Sequence, residues 1–207
     1  LTNLDEVKDC NNFEFINGDI RNYQTCLKIV EKVDYVCHQA ALGSVPRSIN
    51  DPLMSHDVNV NGFLNILNSI KNSKKDISLV YASSSSVYGD SEILPKEEDN
   101  LGNVLSPYAL TKKNNEQHAK IFFECFGVKS IGLRYFNVFG PFQDFNNPYA
   151  AVLPIFCNAF ITKNQPIVNG TGETSRDFTY IDNVIQANIK AMFHLDSQSC
   201  FQTFNIG

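Results

Sequence analysis

The sequence predicts an α/β protein in which a doubly wound parallel β-sheet carries helices on both faces. Short apolar segments alternate along the chain with longer segments whose apolar residues recur at helical spacing. The 207 residues, of which 43 % are hydrophobic and 19 % charged, are enough for a domain with a core of its own. No internal repeat or low-complexity tract interrupts the alternation, so we expect a globular chain.

The first half of the chain contains two predicted strands around one long helix. Residues 34–40, Asp-Tyr-Val-Cys-His-Gln-Ala, are predicted to form a buried strand that runs into a loop of small residues. A helix is predicted over 51–72, because Asp-Pro is a natural helix start and apolar residues follow at helical spacing. Residues 77–82 predict the second strand, which ends in four serines at 83–86.

The second half continues the alternation. Its predicted elements are helices over 108–126, 150–161 and 182–195 and strands over 129–138, near 167–168 and over 201–206. Pro107 suits the start of the first of these helices, and Gly127 is a typical residue to end it. Because ligands of such sheets bind beyond the carboxyl ends of the strands, the informative loops are those after residues 40, 82 and 138.

Charge and cysteine spacing exclude several classes of protein. Seventeen basic and 22 acidic side chains give a net charge of -5, without the basic stripe of a nucleic-acid binder. No apolar run reaches the roughly 18 residues of a membrane span, and no signal segment opens the chain. The six cysteines lack zinc-site spacing, so we expect buried free thiols, no metal site and a cytoplasmic location.

The strongest candidate for chemistry is Tyr108, which stands four residues before Lys112. On a helix this spacing places both side chains on one face, about one turn apart. A neighbouring ammonium lowers the pKa of a tyrosine, which can then take a proton from a sugar hydroxyl while hydride leaves the same carbon. The hydroxyl of Ser84, at a strand end, could hold the substrate oxygen. Taken alone, such a pair also occurs by chance in helices, and a serine run is most often a polar loop.

Six further segments accompany this pair in a fixed order. They are Gly18-Asp19-Ile20-Arg21, His38-Gln39-Ala40-Ala41, Asn59 within Val-Asn-Val-Asn-Gly, the serine run with Val87-Tyr88-Gly89, Leu133-Arg134-Tyr135-Phe136-Asn137-Val138-Phe139-Gly140, and Arg176-Asp177-Phe178. With them the chain resembles, over essentially its whole length, the extended short-chain dehydrogenase/reductase family of nucleotide-sugar-modifying enzymes. The segments 38–48, 149–152 and 170–178 look most like those of UDP-N-acetylglucosamine 4-epimerases.

The resemblance implies a Rossmann-like, NAD-binding domain over residues 1–140 that lacks its first strands. Residues 141–207 would form most of a small, partial C-terminal substrate-binding lobe. The helix and strand within 182–207 are candidates for a return to the first domain. In the family a glycine-rich phosphate loop precedes the position of residue 1 and the lobe extends beyond residue 207, so we expect the sequence to be part of a longer chain.

The same resemblance implies a role for each matching residue. The catalytic residues would be Tyr108 as the base, Lys112 and Ser84. NAD would contact Asp19 and Ile20 at its adenine end, Gln39, Ala40 and Ala41 along its ribose and phosphates, Ala82, Ser83, Tyr108 and Lys112, and Tyr135 and Val138 beside the nicotinamide, with Asn59 behind the cofactor loop. The UDP-sugar would contact Ser44, Ser84, Ser85, Ser86, Tyr108, Asn137, Gln143, Ala151 and Val152, and Arg176 would pair with its pyrophosphate.

Structural roles remain open for some of these residues. Asp19 could cap a turn, Asn59 could bind a buried backbone group, and Arg176 could form a surface ion pair with Asp177. His38 ends an apolar strand, and we interpret it as a core histidine rather than a catalytic base.

Ser85 and Ser86 bear on the type of reaction. Resembling sugar dehydratases place an Asp and a Glu at these positions, and serine cannot replace them as acid and base at neutral pH. We therefore expect 4-epimerisation of a UDP-hexose, by oxidation at C4, rotation of the keto-sugar and hydride return. UDP-GlcNAc and UDP-GalNAc are favoured, and UDP-glucose and UDP-galactose are also plausible. The alternatives are a UDP-glucuronate 4-epimerase and a non-catalytic nucleotide-sugar-binding relative.

The resemblance also implies a homodimer. The helices at 51–72 and 108–126 pair across a two-fold axis in similar enzymes. Phe122, Phe123 and Phe126 could contribute to that contact, although packing within the core explains them equally well.

Overall fold

A computed structural model describes residues 2–144, 151–168, 170–193 and 200–207 of the chain. Its main sheet contains four parallel strands: β1 (Tyr35–His38), β2 (Ser78–Ser84), β3 (Ser130–Tyr135) and β6 (Thr203–Ile206). Their order is β1-β2-β3-β6. Parallel neighbours cannot be joined by a tight turn, so helices fill the connections between them. The predicted parallel sheet is confirmed.

The helices of the described residues follow the predicted alternation. They are α1 (Tyr23–Val30), α2 (Val45–Asn50), α3 (Pro52–His56), α4 (Gly62–Asn72), α5 (Pro107–Phe126), α6 (Val152–Ile161) and α7 (Ile181–Phe193). A π-helical turn over Asp57–Asn61 joins α3 to α4, so the helix predicted over 51–72 is a helix with one wide turn. Short 3₁₀ turns cover Thr2–Leu4 and Ser85–Tyr88.

Helices pack on both faces of the main sheet, as predicted. Leu79 and Tyr81 of β2 lie in one core cluster with Phe63 and Leu67 of α4. Val80, between them, points to the opposite face and belongs to a second cluster, against which side chains of α7 pack. Because successive side chains of a strand point to opposite faces, one strand serves both cores.

The strand predicted over 129–138 is divided in two. At Phe136 the chain leaves the main sheet, and β4 (Asn137–Phe139) pairs instead with β5 (Phe178–Tyr180) in a second, two-stranded sheet. β2 also continues through Ser83 and Ser84, beyond the predicted end at residue 82.

Other differences concern short elements. The sequence pattern missed α1, α2 and β5, which are too short for a clear period. Residues 167–168, predicted as a strand, have no strand partner, and Ile167 is 80 % exposed. Helix α6 begins two residues later than predicted, at Val152, because Ala151 before it is extended. Ala150 and residues 194–195 lie outside the described residues, so α7 is described to Phe193.

The cysteine prediction was partly wrong. All six thiols are free, and Cys26 and Cys200 are buried. The exposed thiols are those of Cys10, Cys37, Cys125 and Cys157. In the part of the chain that the structure describes, no group of three His, Cys, Asp or Glu side chains could hold a metal ion. Among the same residues, no helix combines the length and the apolar character needed to cross a bilayer.

Candidate active site

The carboxyl ends of β1, β2 and β3 lie at one edge of the main sheet, and polar side chains follow each of them. Ser84 is the last residue of β2 and also the N-cap of the 3₁₀ turn that follows, where its Oγ accepts a hydrogen bond from Ser86 N at 3.2 Å. Its side chain is half-buried. The strand thus delivers this hydroxyl to the sheet edge at a defined position.

Tyr108 stands in the first turn of α5, facing Ser84. Ser106 caps the helix by accepting a hydrogen bond from Ala109 N at 3.1 Å, and Pro107 occupies the first helical position. The Tyr108 side chain is half-buried, and the nearby Ser84 hydroxyl lowers the pKa of its phenol. The two groups that the sequence placed on separate elements therefore meet, and the phenol is not sealed in the core.

Lys112 lies one turn further along α5, with only 4 % of its surface exposed. Its Nζ donates a hydrogen bond to the carbonyl oxygen of Ala82 at 2.7 Å and lies 6.0 Å from the centroid of the Tyr108 ring. Burial lowers the pKa of Lys112 to about 8, against the field of Glu116, which raises it. The tyrosine, the lysine and the serine form one compact cluster.

The expected acidification of Tyr108 is not found in the protein without ligands. Burial raises the pKa of Tyr108, and the Ser84 hydroxyl only partly offsets this effect. The physical reason is that Lys112 directs its ammonium to Ala82 rather than to the phenol oxygen. The prediction of a phenol made acidic by its lysine neighbour is therefore wrong for this state.

The backbone of Tyr108 is held on both sides by buried polar side chains. Its N–H donates to Ser48 Oγ at 3.0 Å, and its carbonyl accepts from Thr111 Oγ1 at 2.7 Å. Asn59, in the π-helical turn, donates to Thr111 Oγ1 at 3.2 Å and binds both the N–H and the carbonyl of Leu42, at 2.7 and 3.2 Å. The loop after β1 and the start of α5 are thereby connected.

Asn59 therefore binds buried backbone groups of the loop after β1, the role that the sequence left open as structural. A contact with NAD stays a prediction for this residue. Ala82 and Ser83 are likewise placed behind the cluster, where both are buried at the end of β2.

A groove with a volume of about 460 Å³ lies beside β1. Asp19 and Ile20, from the segment before α1, line one side of it, and Gln39 and Ala40, at the end of β1, line the other. Ala41 follows them and is half-buried. The structure thus brings together the residues expected at the adenine and ribose ends of the cofactor.

The carboxylate of Asp19 is engaged by Arg21. Arg21 Nε donates to Asp19 Oδ2 at 2.9 Å and the Arg21 N–H donates to Oδ1 at 2.9 Å. These bonds lower the pKa of Asp19 to about 2. The turn-stabilising role that the sequence left open for Asp19 is present, and a contact with adenine stays a prediction.

Tyr135 connects the end of β3 to Gln39 and to helix α7. Its Oη lies 3.2 Å from Gln39 Oε1 and accepts a hydrogen bond from Asn188 Nδ2 at 2.8 Å. Burial raises the pKa of this phenol, so Tyr135 remains a neutral hydrogen-bonding side chain at the sheet edge.

The serines assigned to the substrate lie at the N-terminal ends of α2 and of the 3₁₀ turn. Ser44 caps α2 by accepting a hydrogen bond from Arg47 N at 3.2 Å. Ser85 and Ser86 form the start of the 3₁₀ turn and are half-buried. Within the described residues, Ser86 Oγ is buried without a hydrogen-bond partner.

The remaining substrate candidates lie around the second sheet. Asn137 donates through its N–H and its Nδ2 to Asp177 O, at 3.1 and 2.9 Å, and Gln143 Nε2 donates to Val138 O at 3.0 Å. Arg176 is exposed, and its guanidinium donates to Ser175 O at 2.7 Å rather than pairing with Asp177.

Ala151 and Val152, at the start of α6, are exposed. For the described part of the chain, no hydrogen bond or ring contact joins them, or Arg176, to the Ser84–Tyr108–Lys112 cluster. Their contact with a substrate stays a prediction. His38 is buried, and burial together with the charge of Lys112 lowers its pKa to about 4. It is therefore neutral, in agreement with its interpretation as a core histidine.

Sequence reasoning missed the residues that support the cluster. Ser48 gave no signal, since a serine in a short polar helix is ordinary. Glu116 and Arg134 did give one: the glutamate repeats the four-residue spacing of Tyr108 and Lys112, and the arginine interrupts an otherwise apolar strand. Asn188 of α7 could not be found without the tertiary structure.

Comparison with known proteins agrees with this geometry. The model of the NAD dependent epimerase/dehydratase family matches residues 1–207. A provisionally assigned UDP-glucose 4-epimerase of Methanocaldococcus jannaschii is 40 % identical over 182 residues, which are 86 % of this chain and 59 % of the relative. The chain spans about three fifths of the length of the curated relatives first matched.

Two solved structures show the same fold in similar proteins. The UDP-N-acetylglucosamine 4-epimerase of Methanobrevibacter ruminantium, in complex with UDP-N-acetylmuramic acid, is 37 % identical with a TM-score of 0.89, covering 96 % of this chain and 62 % of the relative. The UDP-glucuronic acid 4-epimerase of Bacillus cereus, in complex with UDP-glucuronic acid and NAD, is 29 % identical with a TM-score of 0.89, covering 100 % and 63 %.

Proposed function

Since the chain belongs to the NAD dependent epimerase/dehydratase family, we propose that the complete protein interconverts the two C4 epimers of a UDP-hexose. The observation that carries this proposal is the cluster at the sheet edge. A serine hydroxyl lies beside a half-buried phenol and lowers its pKa, and a buried lysine lies one turn away on the same helix. These are the groups needed to move one proton at a sugar hydroxyl.

The residues present fit an NAD cofactor. Lys112 uses one N–H on Ala82, so two donors remain for a ribose, and Gln39 and Ala40 line an open groove beyond the strand ends. Tyr135, Val138, Asp19 and Ile20 complete the set of residues that would hold it. When bound, NAD supplies the hydride acceptor and donor and, in its oxidised form, a positive charge.

Tyr108 is the proposed base. As a phenolate it would accept the proton of the C4 hydroxyl as the C4 hydrogen leaves as hydride, and the phenol so formed would return that proton when hydride comes back to the other face. Ser84 would hold the same sugar oxygen through its own hydroxyl. Because burial raises the pKa of Tyr108, the base function requires an added positive charge near the phenol.

The serines at 85 and 86 support epimerisation over dehydration. Loss of water from neighbouring carbons needs a carboxylic acid and a carboxylate at the sugar, and both positions carry neutral hydroxyls in the 3₁₀ turn after β2. A keto-sugar held only by small hydroxyl side chains could turn within the site and receive the hydride from its opposite side.

We propose an N-acetylhexosamine nucleotide, UDP-GlcNAc and UDP-GalNAc, as the preferred substrate pair. The support is the small size of Ser84, Ser85 and Ser86, which leaves room for an acetamido arm. A UDP-uronic acid is the second candidate, because one similar structure is that of a UDP-glucuronic acid 4-epimerase. A carboxylate at C6 would need a cation or several donors there.

Proton NMR of the anomeric signals tests the proposed function in the complete protein, supplied with NAD⁺ and one UDP-hexose at a time. We expect interconversion of UDP-GlcNAc and UDP-GalNAc, and a loss of at least about a hundredfold in kcat with Tyr108→Phe. Tyr23→Phe, a phenol of α1, is the matched control and should retain activity. Normal turnover by Tyr108→Phe would remove Tyr108 from its role.

We further propose that residues 1–140 and 141–207 keep the division into a cofactor domain and a partial substrate lobe, with β6 returning to the main sheet beside β3. A homodimer through the helices at 51–72, which include α3 and α4, and through α5 is part of the same proposal. Leu53 of α3 and Leu110 of α5 support it, being 83 % and 48 % exposed.

A further inference from the structure

A buried ion pair lies directly behind the proposed catalytic cluster. Glu116 of α5 and Arg134 of β3 form two parallel hydrogen bonds of 2.9 Å, from Arg134 Nε to Oε1 and from Nη2 to Oε2. Their side chains are 10 % and 3 % exposed. Ser83 donates its hydroxyl to the same Oε1 at 2.5 Å, and Ser83 is the residue immediately before Ser84.

Two further donors of Arg134, both on Nη1, are also engaged. Its Nη1 donates to Tyr88 Oη at 3.0 Å and to Glu98 O at 2.8 Å, and Tyr88 Oη donates to Asn205 Oδ1 at 2.7 Å. The network therefore ties β2, the 3₁₀ turn, β3, α5 and β6 together at the sheet edge. A buried ion pair is retained at low cost only when its hydrogen bonds are completed in this way.

Glu116 is also one helical turn beyond Lys112, which itself is one turn beyond Tyr108. Residues four apart on a helix are neighbours on one face. The carboxylate thus has the guanidinium of Arg134 on one side and the ammonium of Lys112 along its own helix, where its field acts on the lysine. The mechanism proposed above uses Lys112 but gives Glu116 no part.

Charged and titratable groups face Lys112 from several elements. On its own helix they are Tyr108 and Glu116, and at the end of β1 it is His38. On β2 it is the buried phenol of Tyr81, which interacts with Glu116 and Arg134, and on β3 it is Arg134. Elsewhere on the elements packed against α5, Asp57 pairs with Arg21, His56 acts on His118, and Lys71 lies over the Phe126 ring. Glu116 is the acidic group of this set that acts on Lys112.

We infer that Glu116, held by Arg134 and Ser83, is a positioning residue that keeps Lys112 in its charged form beside Tyr108 and fixes the strand end that carries Ser84. This inference rests on the proposed function for its catalytic consequence, but not for its effect on Lys112. A lysine without an acidic neighbour in a buried site tends to lose its proton, because burial disfavours the charged form. A neutral Lys112 would remove the positive charge that lies 6.0 Å from the Tyr108 ring, where the proposed reaction needs a phenolate.

The direct test is titration of Lys112 in the complete protein carrying ¹³C-labelled lysine, followed by NMR. The Lys112 signal is identified by its loss in Lys112→Met. In the parent protein we expect it to titrate at about pH 8. In Glu116→Gln the pKa of Lys112 should fall by about 1 or more, since an opposite charge nearby shifts a pKa by about 1 to 3.

Glu116→Gln leaves Arg134 buried without its partner, so a second variant is needed. Glu116→Gln combined with Arg134→Met removes both charges, and such replacements are often tolerated. We expect this folded double variant also to show a lowered Lys112 pKa, by less than in Glu116→Gln because the positive charge of Arg134 is lost as well, and the alkaline limb of kcat/KM to move to lower pH. The matched control is Glu124→Gln on the same helix, where an exposed carboxylate lies 3.9 Å from Lys120. This substitution should change neither the Lys112 pKa nor the pH dependence of kcat/KM.

An unchanged Lys112 pKa in every folded variant that lacks the Glu116 carboxylate would overturn the inference, because the pair would then act on stability alone. Failure of the double variant to fold would also contradict it, since the pair would be a requirement of the fold. The lysine titration does not depend on turnover. If the parent protein epimerises no UDP-hexose but the Lys112 pKa falls in the variants, the proposed function is contradicted and this inference stands.

Discussion

Tyr108 is positioned through its backbone as well as through its phenol. In the first turn of a helix the N–H groups have no partner within the helix, and Ser48 of α2 supplies one for Tyr108 across two elements. Ser48 is fully buried. The position of the proposed base therefore depends on the loop after β1, which the sequence analysis assigns to cofactor and substrate.

Replacing Ser48 by alanine should leave the Tyr108 N–H buried and unpaired. We expect a loss of about 1 to 3 kcal/mol in the free energy of unfolding and a fall in kcat. Chemical denaturation and steady-state kinetics of the complete protein measure the two effects.

Ser69→Ala is the matched control, because Ser69 is equally buried but only donates to Asn65 O within its own helix, at 2.6 Å. It should cost less stability and leave kcat unchanged. Equal effects of the two substitutions would show that the Ser48 bond to Tyr108 has no special role.

His38 predicts a dependence of stability on pH. The folded protein keeps this histidine neutral down to about pH 4, whereas the unfolded chain protonates it near its ordinary value of 6.5. Stability should therefore be complete above pH 6.5 and fall as the pH drops towards 4, by up to about 3 kcal/mol. Denaturant unfolding at several pH values measures this slope.

Substituting His38 by Phe should flatten that slope between pH 6.5 and 4. His56→Gln is the control, since His56 is exposed, and it should leave the slope as it was. A slope that persists in His38→Phe would place the effect on other groups.

The secondary structure elements bring the cluster together through their ends. β2 extends two residues further than its apolar pattern predicts, and these two residues are Ser83 and Ser84. Serine has no strong strand preference, so the pairing of Ser83 with Arg134 and of Ser84 with Tyr135 on β3 holds this strand end in place. Propensity alone could not predict it.

The sequence predicted secondary structure well wherever apolar residues recur regularly over a long segment. The helix bounds at 126 and 72, the strands around 35–38 and 78–82, and the tyrosine–lysine spacing follow from local patterns. Contacts between distant segments do not, which is why Ser48, Asn188 and the Glu116–Arg134 pair were missed. The predicted lowering of the Tyr108 pKa was wrong for the same reason. The direction of the Lys112 ammonium is set by its hydrogen bond to the carbonyl oxygen of Ala82 on β2.

The turn after the 3₁₀ segment depends on a glycine. Gly89 has a φ of +53°, and a Cβ at this position would overlap the backbone carbonyl of Asn103. Gly127, which ends α5, has a φ of +71° but no atom within 4 Å of such a Cβ. We expect Gly89→Ala to destabilise the protein by more than about 3 kcal/mol and Gly127→Ala by about 1 kcal/mol.

Thermal unfolding of the two variants measures this contrast. Gly127 lies in the left-handed region at ψ +18°, whereas Gly89 has ψ −120°, so the difference between the two variants combines greater backbone strain at residue 89 with the clash against Asn103. Equal destabilisation would contradict the account of this turn.

The molecule as a whole presents apolar side chains on the outer surfaces of α3 and α5. Among those α5 side chains, Ile121 is 50 % exposed, whereas Phe122 packs against the core and Phe123 contacts the Phe201 ring at 4.7 Å. The third phenylalanine considered from the sequence, Phe126, packs edge-on against Phe122 with ring centroids 5.2 Å apart and is 50 % exposed, so all three make contacts within the chain.

Leu53→Asp should weaken the proposed homodimer. A carboxylate in an apolar contact between α3 and α5 of two copies would be buried without a partner. Sedimentation velocity of the complete protein should show a shift from dimer to monomer of at least about tenfold in the dissociation constant. Leu94→Asp, at a residue 79 % exposed outside these helices, is the control. A parent protein that sediments as a monomer would contradict the dimer.

The proposed reaction is tested most directly by following the hydrogen at C4 of the sugar. The complete protein would be given NAD⁺ and UDP-GlcNAc deuterated at C4, in ordinary water, and the UDP-GalNAc formed would be examined by NMR and mass spectrometry. Removal and return of one hydride within the site predicts that deuterium remains at C4 of the product with its configuration reversed. Product that has exchanged this deuterium for solvent hydrogen, or a product that has lost water, would contradict the role given to Ser84, Tyr108 and Lys112.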